Sequence, residues 1–91
     1  MQKLTIFFME GCPYCRNARR AVQELAAENS AYGRIPLEWI DENKQSNLAS
    51  QYDYYYVPSI FSGKEKLYEA TPGESFEQCK QSIRAIFDHS L

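Results

Sequence analysis

The sequence predicts a single domain with an α/β fold, in which the elements follow the order β-α-β-α-β-β-α. Short runs rich in β-branched and aromatic residues alternate along the chain with segments whose apolar residues recur at helical spacing. The 91 residues, of which 44% are hydrophobic, can bury one compact core and leave too little chain for a second. We therefore expect one domain that extends over residues 1–91.

The first three elements are predicted to form a βαβ unit. Leu4–Phe8 is a short apolar run rich in β-forming residues, and apolar residues at helical spacing then continue to about Glu28. After a turn-rich segment, residues 35–41 form the second predicted strand, where Pro36 near the start is expected for a strand at the edge of a sheet. Because a helix connects the two strands, we expect them to be parallel.

The second half of the chain is predicted to contain a short helix, a hairpin and a longer helix. Residues 43–52 have the spacing of a short helix, and residues 57–62 and 65–70 form two strands joined by a tight turn at Gly63. Residues 71–75 then introduce the last helix. Its apolar stripe, which we expect to cover one face of the sheet, consists of Phe76, Cys79, Ile83, Ile86 and Phe87.

Charge, hydropathy and cysteine content limit the classes of function. The net charge of −2, with both signs mixed along the chain, provides no basic surface for a phosphate backbone, so we expect no nucleic-acid partner. No apolar run approaches the roughly 20 residues of a membrane span, and residues 1–3 lead into a strand without the apolar region of a signal peptide. Three cysteines are too few for the disulfide framework of a small secreted domain. We therefore expect a cytoplasmic protein without a membrane segment.

The residues Cys12-Pro13-Tyr14-Cys15 stand where the first strand gives way to the first helix, so that two thiols meet at a helix N-terminus. Pro13 suits the first helical position because it has no N–H and its φ is already helical, which makes Cys12 the N-cap. The free N–H groups and the positive dipole end of a helix stabilise a thiolate, the reactive form of cysteine. We therefore predict redox chemistry in which Cys12 is the nucleophile and Cys15 resolves the mixed disulfide.

The element order, the Cys12-Pro13-Tyr14-Cys15 motif and the pair Val57-Pro58 at the third strand together resemble the glutaredoxins of the thioredoxin superfamily. The resemblance covers nearly the whole chain. It implies a thioredoxin-like fold with a four-stranded mixed sheet flanked by three helices, and a cis peptide bond at Val57-Pro58 that faces the cysteines. It also implies reduction of protein disulfides and of glutathionylated proteins, with glutathione as co-substrate and no bound cofactor. We expect the protein to be a monomer.

The resemblance also implies a glutathione groove. Gln45 corresponds to a side chain that contacts the glycyl end of glutathione, and Val57 to a residue whose backbone pairs with the cysteinyl part. Ser75 corresponds to a side chain that holds the γ-glutamyl end together with backbone amides. The predicted groove residues are Tyr14, Gln45, Tyr56, Val57, Pro58, Gly73, Glu74 and Ser75.

The sequence departs from the glutaredoxin pattern at four positions, Met9, Glu10, Tyr56 and Pro72. Glu10 places a negative charge beside the first cysteine, and Pro72 stands where the family has a glycine. Met9, Glu10 and Pro72 keep a second function open, that of an electron carrier reduced by thioredoxin reductase and serving a specific enzyme such as ribonucleotide reductase.

Functions of a different class are also compatible with the cysteine pair. A C-x-x-C motif forms half of many zinc sites. The resemblance also implies that such a site, shared between two chains, could hold an iron–sulfur cluster with glutathione completing the ligation, as in some glutaredoxins. The other candidate ligands are Cys79, which lies within an apolar stripe, and His89 near the last residue, so no metal ligands are predicted. A thioredoxin-fold interaction domain with merely structural cysteines is a further alternative, in which the thiols would have ordinary reactivity.

Overall fold

The structure, a computed structural model that describes residues 2–91, is built on one four-stranded mixed sheet. Its strands are β1 (Leu4–Phe8), β2 (Leu37–Asp41), β3 (Ser59–Ser62) and β4 (Glu65–Glu69), and they lie in the order β2-β1-β3-β4. Strand β1 is parallel to β2 and antiparallel to β3, which is antiparallel to β4. The predicted parallel pair, the hairpin and the edge position of the strand after Pro36 are therefore confirmed.

Three helices complete the predicted order: α1 (Pro13–Glu28), α2 (Ser46–Ala49) and α3 (Phe76–Ser90). Helix α1 follows a sharp turn at Gly11, whose φ of 79° is a conformation that glycine adopts without strain. Helix α3 begins with a capping box, in which the Ser75 side chain accepts from the Gln78 N–H and the Gln78 side chain accepts from the Ser75 N–H. No helix in the described part of the chain is long and apolar enough to cross a membrane.

The helix predicted over residues 43–52 is wrong in extent, because only Ser46–Ala49 is helical. The Asp41 carboxylate accepts the Asn43 N–H, and the Asp41 carbonyl oxygen accepts the Gln45 N–H at 3.0 Å. This local turn satisfies the amides that a longer helix would have used, and it delays the start of α2.

Two predicted strands also begin later than expected. A strand was predicted to start at residue 35. The preceding residues Tyr32–Arg34 form a 3₁₀ turn, and the Ile35 N–H closes it by donating to the Tyr32 carbonyl oxygen, so β2 starts only at Leu37. The segment predicted to start at residue 57 pairs only from Ser59, because the preceding proline has no N–H to donate to a neighbouring strand.

The sheet carries a core on each face. On one face, α1 and α3 pack against it with fully buried side chains such as Leu25 and Ile83. On the other face, the segment around α2 covers Phe7 and Phe61, which contact the rings of Tyr52 and Tyr54. The two cysteines of the motif lie at the end of the sheet where β1 ends and α1 begins.

Charged side chains join α1 to α3. The Lys80 ammonium group lies 2.8 Å from a Glu24 carboxylate oxygen and 2.6 Å from a Glu28 oxygen, and Arg84 also contacts Glu28. Arg20 pairs with Glu24 one turn away on α1, as their spacing predicts. These contacts hold together the two helices whose N-termini border the cysteine motif and the loop over residues 71–75.

Candidate active site

Cys12 caps α1 through its backbone, and its sulfur is left free for other contacts. The residue has an extended conformation, with φ −88° and ψ 119°, and its carbonyl oxygen accepts the Arg16 N–H at 3.0 Å. The thiol makes no capping hydrogen bond and instead donates to the Val57 carbonyl oxygen at 3.8 Å. The sulfur of Cys12 therefore lies between a helix N-terminus and the backbone of Val57.

Cys15 lies in the first turn of α1, and both cysteines of the motif are reduced and buried. Burial raises the pKa of the Cys15 thiol to about 12, and the hydrogen bond and charge of Cys12 act in the same direction, while a hydrogen bond with the Met9 backbone opposes them. Cys15 is consequently a protonated thiol at neutral pH. This state suits a residue that can donate a proton before it acts as a nucleophile.

The peptide bond between Val57 and Pro58 is cis, as the family resemblance implied. Pro58 is buried, and Val57 is half-buried with its carbonyl oxygen directed at Cys12. Within residues 2–91 the Val57 N–H has no hydrogen-bond acceptor. Val57 therefore has a backbone donor available for a ligand beside the sulfur of Cys12.

A carboxylate from β4 holds the loop that leads to Val57. One oxygen of Glu69 accepts the N–H groups of both Tyr55 and Tyr56, at 2.6 and 2.7 Å, and the other oxygen pairs with Lys66 at 2.8 Å. Burial alone would raise the pKa of Glu69, but Lys66 and the two amides outweigh it and hold the pKa below its usual range. No sequence motif indicates this role of Glu69, because the contact joins residues 13 and 14 positions apart.

The three consecutive tyrosines before Val57 have different surroundings. The Tyr54 ring stacks on Phe7, and its hydroxyl donates to Glu42 at 2.7 Å. Tyr55 and Tyr56 are exposed, with 88% and 53% of their surface accessible to solvent. Tyr56 adjoins Val57, so the structure places this predicted groove residue at the rim of the site.

Gln45, the residue predicted to contact the glycyl end of glutathione, is exposed. It lies immediately before α2, and its side chain makes no hydrogen bond within the described residues.

Beside the two thiols, a depression of about 120 Å³ is lined in part by Met9, Glu10 and Arg16. This surface therefore carries charges of both signs.

The loop over residues 71–75 adjoins the cis peptide bond. The Ala70 N–H donates to the Pro58 carbonyl oxygen at 2.9 Å, which fixes the start of the loop against that bond. Further along, the Gly73 N–H donates to the Tyr14 hydroxyl at 2.7 Å. The structure therefore brings the cysteine motif, the Val57-Pro58 segment and this loop together.

The backbone amides of this loop already have acceptors within the protein. Besides the bond from Gly73 to Tyr14, the Glu74 N–H donates to the Thr71 carbonyl oxygen at 2.9 Å, and the Ser75 N–H donates to Gln78 at 2.8 Å. These bonds were not among the features predicted from the sequence. The capping box could have been found from the spacing of a serine and a glutamine three residues apart, whereas no sequence signal joins positions 14 and 73.

The side chain of Glu74 serves the loop itself. One of its oxygens accepts the Thr71 N–H at 3.0 Å, and the other accepts the Tyr68 hydroxyl. Burial raises the pKa of Tyr68, and Cys79 and Glu74 raise it further, so the hydroxyl stays protonated as a donor. Glu74, which was predicted to line the groove, therefore also fixes the conformation of the loop.

The described residues contain no group of three or more His, Cys, Asp or Glu side chains that could hold a metal ion. Cys79 lies on the buried face of α3, and burial raises the pKa of its thiol. Because Cys79 lies in the core, it is not available to complete a site with Cys12 and Cys15.

The sheet order and the position of the paired cysteines define a thioredoxin-like fold, and solved structures agree. Thioredoxin 1 from the thermophilic eubacterium Thermosipho africanus is similar with a TM-score of 0.60 and 18% identity, over 97% of this chain and 97% of that chain. A mutant thioredoxin from Halobacterium salinarum is similar with a TM-score of 0.57 and 24% identity, over 91% of this chain and 72% of that chain. The zinc-bound form of human ERp44 has a TM-score of 0.59 and 16% identity, over 93% of this chain and 27% of that chain.

These similarities concern the fold. A scan against protein-family models gave no match, and a search of curated proteins found no significant match. The predicted thioredoxin-like fold is therefore confirmed, while the glutaredoxin type and the glutathione groove stay predictions.

Proposed function

We propose that the protein is a thiol-disulfide oxidoreductase whose redox pair is Cys12 and Cys15. The observation that carries this proposal is the position of the Cys12 sulfur, which lies at the N-terminus of α1 and 3.8 Å from the Val57 carbonyl oxygen. The helix N-terminus stabilises the thiolate that attacks a disulfide. Cys15 stands three positions further along, in the first turn of the same helix, where it can complete the reaction.

The proposed reaction has two exchange steps. The Cys12 thiolate attacks one sulfur of a substrate disulfide, so that a mixed disulfide forms and the other substrate sulfur leaves as a thiolate. Cys15 then gives up its proton and attacks the Cys12 sulfur, which closes the internal disulfide and releases the second substrate thiol. The protein loses two electrons, and the substrate disulfide is reduced to two thiols.

We propose glutathione as the electron donor that reduces the internal disulfide, with disulfide-containing or glutathionylated proteins as clients. The available Val57 N–H beside the Cys12 sulfur supports this choice, because a cysteinyl peptide can pair with that backbone as an added strand. The exposed Gln45 side chain is free to contact another part of the tripeptide. A reducing cytoplasm, the proposed location, would maintain both thiols.

A second candidate donor is thioredoxin reductase. The observation that favours it is the state of the loop over residues 71–75, where the N–H groups of Gly73, Glu74 and Ser75 all donate within the chain. A ligand that needs these amides must first break existing hydrogen bonds. A protein donor that contacts Cys12 and Val57 alone has no such requirement.

The test is a pair of coupled assays on the same disulfide substrate, hydroxyethyl disulfide. One assay supplies glutathione, glutathione reductase and NADPH, and the other supplies thioredoxin reductase and NADPH. We expect Cys12→Ser to abolish turnover in both assays, and Cys15→Ser to retain reduction of glutathionylated substrates, because a second glutathione can resolve the adduct on Cys12. Cys79→Ala is the matched control, since this third cysteine lies in the core away from the site.

The outcomes separate the proposals. Turnover with glutathione supports the glutathione-dependent function, and turnover only with thioredoxin reductase supports the second donor. Retention of full activity in Cys12→Ser would overturn the redox assignment itself. Equal retention of activity in the Cys12→Ser and Cys15→Ser variants would overturn the division of roles between the two thiols.

A further inference from the structure

The hydrogen bond between Tyr14 and Gly73 links two parts of the rim of the site. Tyr14 stands between the two cysteines in the first turn of α1, and its hydroxyl accepts the Gly73 N–H at 2.7 Å across 59 positions of sequence. Gly73 has a φ of 89°, a conformation that directs its amide and that favours glycine. The hydroxyl therefore occupies the position from which an acceptor of a bound substrate would reach this amide.

The groove beside this bond is lined by acidic and uncharged side chains. The groove beside the loop is lined by the carboxylates of Glu74 and Glu77 and, among the described residues, by no lysine or arginine. A ligand carboxylate that bonded to the Gly73 N–H would thus displace the Tyr14 hydroxyl without gaining a cationic partner in the groove. An uncharged disulfide has no carboxylate that requires this amide.

We propose that Tyr14 is a specificity-determining residue, whose hydroxyl occupies the Gly73 N–H and selects against disulfides that carry a carboxylate. This inference rests on the proposed thiol-disulfide exchange at Cys12. The role of Tyr14 is exerted on binding of the substrate, while the exchange of sulfur bonds stays with the two cysteines. The hydroxyl thereby sets how well glutathione competes with an uncharged disulfide or a protein partner.

The experiment compares two disulfides as oxidants of the reduced protein in single-turnover kinetics. Oxidised glutathione carries carboxylates, and hydroxyethyl disulfide is uncharged. The variants are Tyr14→Phe, which removes only the hydroxyl, and Tyr55→Phe as the matched control, because the Tyr55 ring is exposed and its hydroxyl makes no hydrogen bond within the described residues. Amide hydrogen exchange at Gly73 reports the hydrogen bond independently of activity.

In Tyr14→Phe we expect faster exchange at Gly73 and an increase of about 3-fold to 10-fold in the rate constant for oxidised glutathione relative to hydroxyethyl disulfide, as the release of one hydrogen bond allows. In Tyr55→Phe we expect both quantities to stay at the wild-type values. An unchanged ratio of rate constants in Tyr14→Phe would overturn the role of Tyr14, as would unchanged exchange at Gly73. If neither disulfide oxidises the wild-type cysteines, the proposed function fails, and this inference fails with it.

Discussion

Removal of the Glu69 carboxylate is predicted to destabilise the loop that positions Val57 at Cys12. A hydrogen bond to a charged acceptor contributes about 1.5–3 kcal/mol when it is buried, and an ordinary one contributes about 1 kcal/mol. The Glu69 side chain is 18% exposed and the two tyrosines that donate to it are exposed, so water can replace part of the interaction. We therefore assign about 1 kcal/mol to each of the two bonds, and we expect Glu69→Ala to lose about 2 kcal/mol of unfolding free energy.

The same geometry predicts a smaller effect for an amide side chain. Both N–H groups donate to a single oxygen of Glu69, so the carbonyl oxygen of a glutamine could accept both and only the charge would be lost. We expect Glu69→Gln to lose about 1 kcal/mol. The control is Lys66→Met, which removes the ion pair while the Glu69 carboxylate still accepts both N–H groups of the loop, and it should change stability less than Glu69→Ala.

Urea unfolding measures these differences. For a small domain with a slope near 1 kcal/mol per molar urea, Glu69→Ala should lower the midpoint by about 2 M. Because the folded-state pKa of Glu69 is lowered, its contribution is present above the unfolded-state pKa and is lost as the pH falls through the folded-state value, whereas Glu69→Gln should lack this component. The reasoning would be refuted if Glu69→Ala unfolded at the wild-type midpoint and reduced hydroxyethyl disulfide at the wild-type rate.

Two further predictions concern the thiols and the start of α3. Because burial raises the pKa of the Cys15 thiol to about 12, iodoacetamide should label Cys15 slowly at pH 8 and faster as the pH rises, when the modified peptides are measured by mass spectrometry. Labelling of Cys15 that does not depend on pH would contradict this. Ser75→Ala removes the acceptor of the Gln78 N–H and should cost about 1 kcal/mol in urea unfolding, while Ser75→Asp, which keeps a capping oxygen, should cost less; equal losses in the two variants would exclude capping as the cause.

The parts of the fold that depend on local physical chemistry could be predicted from the sequence. The proline at the first helical position and the glycine before the cysteine place Cys12 at the cap of α1, and the structure confirms this placement. The hairpin turn at Gly63 and the buried stripe that includes Cys79 are likewise local patterns. Each of these features needs only neighbouring residues, or residues one helical turn apart, so spacing alone identifies it.

The contacts that complete the candidate site could not be predicted in this way. The carboxylate of Glu69 reaches back to the loop before Val57, and the hydroxyl of Tyr14 reaches forward to Gly73. Both depend on how the strands and helices pack, and the short extent of α2 depends on competition from Asp41 for nearby amides. Periodicity shows which face of an element is buried, but it does not show which polar groups of distant elements come into contact in the folded chain.

The hydrogen-bonding state of the backbone amides around Cys12 narrows what the site can recognise. The amides of Tyr55 and Tyr56 donate to Glu69, and that of Gly73 donates to Tyr14, whereas the Val57 N–H has no acceptor within residues 2–91. Because satisfied amides attract a ligand only at the cost of their existing bonds, Val57 is the residue of the segment 55–57 whose N–H can pair with a ligand backbone. A donor and an acceptor on one residue can pair with the backbone of any cysteine-containing segment, whatever its side chains. Under the proposed function, selectivity then comes from the rim, where the Tyr14 hydroxyl accepts the Gly73 N–H.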